Sequence, residues 1–265
     1  MTQTHIVAIA NKKGGVGKTV VTFNLARALA LRGKKVLAID CDEQGSLTLS
    51  FLGGKPELKC KTEQLFEGDS KVTLQNVGNN LWLFGTMPDD GSMTLASAKP
   101  GALTTFKKTV RQIAATGKFD FIIIDTNPFI SNVTIAVLAT ATQLLVPLEA
   151  VELAISGAYS LVQELLRLRK EGNSEARWLG FVVNKLMQTN YQRAYLNFLR
   201  KTFKRGDVFE STLSHLTAFQ VAGSRRESVL EYEPEGEAAH QVNVFVNEFL
   251  SRLQKANGPK DPKTK

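Results

Sequence analysis

Short apolar runs alternate with amphipathic stretches along most of the chain. The apolar runs predict six strands, near residues 5–10, 35–40, 81–85, 119–125, 143–147 and 178–184. The amphipathic stretches predict helices near residues 18–32, 103–115, 131–141, 152–170, 189–204 and 237–255. Strands that alternate with helices predict a doubly wound α/β fold, with a mostly parallel sheet and helices on both faces.

The same pattern shows no internal repeat and no linker, so we expect residues 1–255 to form a single domain. Residues 256–265 combine one glycine, two prolines and four charged side chains, and we expect this basic tail to be disordered.

Composition narrows the class of protein. No run reaches the roughly 18 apolar residues of a membrane-spanning helix, and the first residues lack the features of a secretory signal. The cysteines, Cys41 and Cys60, form no CxxC pair, which argues against a disulfide framework or a zinc site. We therefore expect a cytoplasmic protein. The net charge of +8 would attract polyanions, either nucleic acid or an anionic membrane.

A glycine-rich segment, NKKGGVGKT at residues 11–19, lies between the first predicted strand and the first predicted helix. This is the setting that a phosphate-binding P-loop requires, rather than a glycine-rich turn without a ligand. Its glycines let backbone N–H groups point at phosphate oxygens, and the helix start adds its positive dipole end. Lys18 can reach the β- and γ-phosphates, and the Thr19 hydroxyl can bind Mg²⁺.

Lys13 is a second lysine, which an ordinary P-loop does not need. The string KGGVGKT resembles the deviant Walker A motif of the ParA/MinD family of P-loop ATPases. The resemblance implies that Lys13 reaches across a homodimer interface to the partner's nucleotide, so that ATP joins two protomers. The alternative is a solvated surface lysine. The expected nucleotide-binding residues of the loop are Lys13, Gly14, Gly15, Val16, Gly17, Lys18, Thr19 and Val20.

Two acidic motifs follow predicted strands, at the edge where a doubly wound sheet binds its ligands. Asp40 and Asp42 lie in DCDEQ, which resembles the family's DxDxQ segment, with Glu43 in place of the usual proline. The resemblance implies that Asp42 positions or activates the attacking water and that Asp40 supports the Mg²⁺ shell. Asp125 ends an apolar strand as in a Walker B motif and is a candidate Mg²⁺ ligand. Asn127 replaces the first proline of the family's DxPP.

The base is indicated by the segment that starts at Asn184. Asn184 and Lys185 are similar to the start of a guanine-binding NKxD motif, but Met187 stands where the motif needs its aspartate. An amide can instead pair with adenine, so we expect Asn184 to bind the base of ATP. The alternative is that Asn184 only caps its strand.

Basic residues are concentrated between residues 185 and 226, a segment with eight basic and two acidic residues. In the helix predicted at 189–204, Arg193, Arg200 and Lys204 fall on one outward stripe. The inward stripe is predicted to hold Tyr195, Phe198, Leu199, Thr202 and Phe203. A basic stripe is typical of phosphate-backbone binding, although it can also be a solvated face. The candidate DNA-binding residues are Arg193, Arg200, Lys201, Lys204, Arg225 and Arg226.

The last predicted helix carries an apolar stripe but a barely basic polar face, so we expect it to pack on the sheet instead of a membrane. The resemblance then implies a ParA-like ATPase, cytoplasmic and nucleoid-associated. Its ATP dimer would bind DNA nonspecifically, and a ParB-like or other cargo adaptor would stimulate hydrolysis. Three alternatives stay open: a MinD-like membrane-associated ATPase, a metabolic or electron-transfer P-loop enzyme, and a DNA-binding structural protein with a nonhydrolysing ATP clamp.

Overall fold

The structure is a computed structural model that describes residues 4–68, 73–152, 154–204 and 206–254, and only the backbone of residues 154–156. Its strands are β1 (His5–Ile9), β2 (Val36–Cys41), β3 (Gln75–Gly78), β4 (Leu81–Phe84), β5 (Phe121–Thr126), β6 (Gln143–Leu148), β7 (Arg177–Leu186) and β8 (Val208–Ser214). Its longer helices are α1 (Lys18–Leu31), α5 (Ala102–Ala115), α6 (Asn132–Thr140), α7 (Ala154–Lys170), α8 (Asn190–Thr202) and α11 (Glu237–Gln254). Shorter helices are α2 (Ser46–Leu52), α3 (Glu63–Glu67), α4 (Ser92–Ala98), α9 (Thr217–Ser224) and α10 (Val229–Tyr232).

The strands form one sheet in the order β3-β4-β2-β5-β1-β6-β7-β8. Every neighbouring pair of described strands is parallel except β3 and β4. In a parallel sheet all carboxyl ends lie at one edge, so the loops after β1, β2 and β5 meet there. The predicted mostly parallel α/β sheet is therefore confirmed.

Alternate residues of the central strands pack into two separate apolar layers. Ile122 and Ile124 of β5 lie in the layer that also contains side chains of α5, α6, α7 and α8. Phe121 and Ile123 lie in the opposite layer, with side chains of α1 and α11. Because helices cover both faces of the sheet, β5 is apolar at consecutive positions.

All six predicted strands are present within two or three residues of their expected ends, while two further strands were missed. β3 is a four-residue edge strand with the polar sequence QNVG. β8 reads VFESTLS, and its polar residues obscure the apolar signal that marks a strand. The predicted tail at 256–265 lies outside the described residues.

The prediction that the last helix packs on the sheet is confirmed. The apolar stripe of α11 includes Val242, Phe245, Val246 and Phe249, all fully buried in the α1 layer. None of the described helices is both long and apolar enough to span a membrane.

Candidate nucleotide site

The loop between β1 and α1 has the backbone of a phosphate-binding loop. Gly15 and Gly17 adopt φ values of +77° and +84°, which side chains other than glycine rarely adopt. A Cβ on Gly17 would lie 2.2 Å from the Asn184 amide nitrogen, so only glycine fits there. No side chain caps the start of α1, and its first N–H groups are left for an anion.

Lys18 opens α1 and is buried beside the acidic edge of the sheet. Burial lowers the pKa of its ammonium, while the charges of Asp125 and Asp42 act in the opposite direction. Lys18 therefore interacts electrostatically with Asp42 and Asp125, and the roles of the three residues at a bound nucleotide stay predictions.

Two hydroxyl groups of α1 donate hydrogen bonds to the Asp125 carboxylate. Thr19 Oγ1 donates to Asp125 Oδ2 at 2.7 Å, and Thr22 Oγ1 donates to Oδ1 at 3.0 Å. Asp125 is fully buried, and burial, followed by the charge of Asp40, raises its pKa to about 7. Sequence reasoning missed Thr22, although it lies one helical turn after Lys18 on the same face.

Asp40 is the strand neighbour of Asp125 and is also fully buried. Its Oδ2 accepts from the Thr48 backbone N–H at 2.8 Å and the Thr48 hydroxyl at 2.7 Å, both on α2. Its Oδ1 accepts from the Asp42 N–H at 3.2 Å. Burial raises its pKa to about 6 against these hydrogen bonds. Asp40 thus fastens the loop after β2 to α2, and a direct role at Mg²⁺ stays a prediction.

The residues at this edge fit a magnesium ion that is shared with a nucleotide. No group of three or more His, Cys, Asp or Glu side chains in the described parts of the chain could hold a metal alone. Mg²⁺ commonly takes one or two protein oxygens, with phosphates and water completing its shell. Thr19 at the start of α1 and Asp125 near the end of β5, joined by their 2.7 Å hydrogen bond, supply such a pair.

Lys13 lies at the rim of the loop and pairs with a residue that the sequence did not single out. Its Nζ lies 3.3 Å from Glu149 Oε2, directly after β6. Lys185 Nζ lies 3.8 Å from the other oxygen of Glu149 and donates to the Gly15 carbonyl at 2.5 Å. Lys185 also has φ of +54°, an uncommon conformation for a residue with a side chain. Glu149 therefore bridges two lysines at the rim.

A cavity of about 110 Å³ adjoins the loop on the side of Asn184. Its lining residues are Val20, Asn184, Lys185, Ser214, His215, Leu216, Phe219 and Gln220. Asn184 is buried, and its amide donates to the Val16 carbonyl at 2.9 Å. The residues after β8, which the sequence did not assign, thus complete a partly apolar pocket beside the predicted base contact.

The predicted DNA-binding residues lie on α8, just after α8 (Lys204) and after α9. Two predictions about the orientation of α8 are wrong. Phe198 and Thr202 are exposed instead of inward-facing. Arg200 is half-buried and donates to the Glu210 carbonyl at 2.7 Å, because this part of α8 packs beside β8. The exposed candidates are Arg193, Lys201, Lys204, Arg225 and Arg226.

The comparisons with known proteins agree with this geometry. Residues 4–177 match the family model AAA_31, described as an AAA domain. The chromosome-partitioning ATPase Soj of Thermus thermophilus is 29% identical over 250 residues, which cover 94% of this chain and 97% of Soj. The chromosome partitioning protein ParA of Caulobacter vibrioides is 28% identical, with 94% of each chain covered.

Among solved structures, an ATP complex of McdA from Cyanothece superposes with a TM-score of 0.79 at 23% identity, covering 95% of this chain and 98% of McdA. This likeness concerns the fold, and the family model covers well over half of the chain. The chain therefore belongs to the AAA domain family AAA_31 and is a P-loop ATPase of the ParA/MinD family.

Proposed function

We propose that this ATPase forms a dimer over two bound ATP molecules, binds DNA nonspecifically as that dimer, and positions a cargo. The observation that carries the proposal is the place of Lys13. Its ammonium lies at the rim of the phosphate loop, 3.3 Å from Glu149, and we infer that it turns toward a second protomer when ATP is bound. Both side chains are partly exposed, so a competing phosphate can reach the lysine.

In each protomer the chain would bind the triphosphate through the loop N–H groups and Lys18. Thr19 and Asp125 would hold Mg²⁺, which when bound neutralises charge on the phosphate oxygens. The adenine would enter the cavity lined by Asn184 and Phe219. These contacts orient the γ-phosphate toward the loop after β2.

Asp42 would orient the water that attacks the γ-phosphate. It follows β2, is half-buried and accepts from the Gln44 N–H at 3.1 Å. Its charge interacts with that of Lys18, which supports a position for the carboxylate near the phosphate end of the site. A hydrolysing enzyme is therefore favoured over a nonhydrolysing clamp.

Dimerisation would require Lys13 to leave Glu149 for the partner's nucleotide. An exposed or half-exposed ion pair contributes at most about 1 kcal/mol, whereas contacts between a lysine and phosphate in a closed, dry interface are stronger. ATP would thus supply the anion that draws Lys13 across. After hydrolysis the γ-phosphate is lost, and the dimer would open.

The matrix for the dimer would be DNA, reached through exposed basic side chains of α8 and the residues after α9. We further propose that the protein is cytoplasmic and nucleoid-associated and that an adaptor protein stimulates hydrolysis. Soj and ParA are named for chromosome partitioning, so a chromosome or plasmid is the first cargo to test.

Co-sedimentation tests this proposal. The protein is mixed with random-sequence duplex DNA, or with anionic liposomes, in ATP, ADP or no nucleotide. We expect DNA binding with ATP alone and no sedimentation with liposomes. Binding to liposomes with ATP, and not to DNA, would instead support a MinD-like membrane ATPase. Equal DNA binding under all three conditions would contradict the ATP switch.

A further inference from the structure

The loop that carries Asp42 is attached to a distant part of the chain by a dense set of contacts. The loop closes as a turn, in which the Gly45 N–H donates to the Asp42 carbonyl at 2.9 Å. Gly45 has φ of +58°, and a Cβ there would lie 2.7 Å from the Thr86 carbonyl oxygen. The turn therefore lies directly against the segment that follows β4, with no space between them.

Glu43 makes two of the contacts that join the turn to this segment. Its backbone carbonyl accepts from the Asp89 N–H at 2.9 Å. Its carboxylate Oε1 accepts from the Thr94 N–H at 2.9 Å. The next residue adds a third contact, since the Gln44 side-chain amide donates to Asp89 Oδ1 at 2.8 Å. Asp42 thus precedes two consecutive residues that are both fixed to residues 89–94.

The contact with Thr94 depends on a carboxylate at position 43. Thr94 lies in the first turn of α4, where N–H groups have no partner within the helix. Gly91, which precedes α4, supplies no side-chain cap, so the Glu43 carboxylate takes the place of one. The ParA/MinD family usually has a proline at this position, and proline has no carboxylate. The contact with Thr94 therefore depends on the Glu43 side chain of this chain.

We propose that Glu43 is a positioning residue for hydrolysis, which holds the Asp42 carboxylate in place by tying its turn to α4. This inference rests on the proposed role of Asp42. A hydrogen bond from an N–H to a carboxylate fixes position as well as energy, and a small misplacement of a catalytic group lowers the rate strongly. Without the tie, the turn keeps its backbone contacts but the Asp42 side chain samples more positions.

The test compares Glu43→Ala and Glu43→Gln in steady-state ATP hydrolysis by the full chain. We expect Glu43→Ala to lower kcat about tenfold, as a barrier change of roughly 1.4 kcal/mol would, while KM for ATP changes by less than about twofold. Glu43→Gln keeps an acceptor for Thr94 and is expected to recover most of kcat. Glu67→Ala is the matched control, because Glu67 is exposed and pairs with Lys99 at 2.6 Å.

A second set of measurements distinguishes a role in positioning Asp42 from a general loss of structure in the variant. Hydrogen exchange of the Thr94 amide is expected to quicken in Glu43→Ala and to stay slow in Glu43→Gln. In an Asp42→Ala background, Glu43→Ala is expected to cause no further loss of residual single-turnover hydrolysis. An unchanged kcat in Glu43→Ala, or an equal loss with and without Asp42, would overturn the proposal. Full hydrolysis by Asp42→Ala would overturn the role of Asp42 itself, whatever Glu43 does.

Discussion

Asp40 and Asp125 are register partners on the adjacent parallel strands β2 and β5, and both side chains are fully buried. Burial raises the pKa of both carboxyls, to about 6 for Asp40 and about 7 for Asp125, and the charge of Asp40 adds to the shift of Asp125. Two acids so placed destabilise the nucleotide-free fold when both are charged, and a bound cation would relieve that repulsion.

The pH dependence of stability follows from these shifts. Well below about pH 4 both carboxyls are protonated in the folded and the unfolded chain, so they carry no penalty. As the pH rises toward 7 the unfolded chain releases protons first, so the free energy of unfolding falls. We expect Asp125→Asn to raise it by about 1–3 kcal/mol at pH 8 and by far less at pH 5.

Urea denaturation without nucleotide or Mg²⁺ at the two pH values measures this difference. Glu175→Gln serves as a control, because Glu175 is exposed and its pairing with Arg111 is loose at 3.6 Å. If Asp125→Asn changed the free energy of unfolding by the same amount at both pH values, the buried charge would have no such cost.

Gly17 gives a prediction about ATP binding. An alanine there would combine an unfavourable φ of +84° with a Cβ 2.2 Å from the Asn184 amide. We expect Gly17→Ala to lose ATP binding because it distorts the phosphate loop. Lys18→Ala should also lose ATP binding, because it removes the ammonium that contacts the phosphates. Titration with a fluorescent ATP analogue measures the affinity.

Gly54→Ala is the matched control for that change, since a Cβ there meets open space. Its affinity for the analogue should equal that of the wild type. Normal binding by Gly17→Ala would show that the loop does not close on Asn184 as described.

The exposed basic residues of α8, together with Lys204 just after it, give a prediction about DNA. Changing Arg193, Lys201 and Lys204 together to glutamine should weaken DNA binding and flatten its salt dependence, by about 0.9 in the log–log slope for each lost phosphate contact. ATP binding should be unchanged, because none of the three lies in the nucleotide site. Fluorescence anisotropy at several salt concentrations measures both quantities.

The control removes the same charge elsewhere, with Lys34, Lys108 and Lys170 changed to glutamine, all of which are exposed. If both triple variants lose affinity equally, α8 is not the DNA surface and the effect is one of net charge. Arg200→Ala alone should lower stability more than DNA affinity, because its guanidinium is bound to the Glu210 carbonyl.

Local patterns in the sequence indicated the candidate site residues, but not the residues from elsewhere in the chain that contact them. The phosphate loop and Asp125 each lie where a buried strand ends, so a short stretch of sequence identifies them. Glu149 could not be found this way, since it meets Lys13 from 136 positions along the chain. The Thr48 contact with Asp40 likewise depends on how α2 folds back against β2.

The helix α8 shows a second limit. Its apolar and basic stripes were predicted from a period of 100° per residue. That period does not decide between two orientations of the helix that differ by one residue position. Phe198 is exposed and Arg200 half-buried, and the Arg200 guanidinium donates to the Glu210 carbonyl of β8, a strand that the sequence did not predict. Because this polar strand was missed, the partner that withdraws Arg200 from the solvent was missed as well.

Sedimentation velocity with ATP and Mg²⁺ tests the central claim most directly, using Asp42→Ala to prevent turnover and the double variant Lys13→Ala, Asp42→Ala. We predict that Asp42→Ala sediments as a dimer with ATP and as a monomer with ADP. The double variant should bind ATP yet stay monomeric, since Lys13 would no longer reach the partner's nucleotide. A monomeric Asp42→Ala protein saturated with ATP, or a double variant that dimerises as well as Asp42→Ala, would contradict the account.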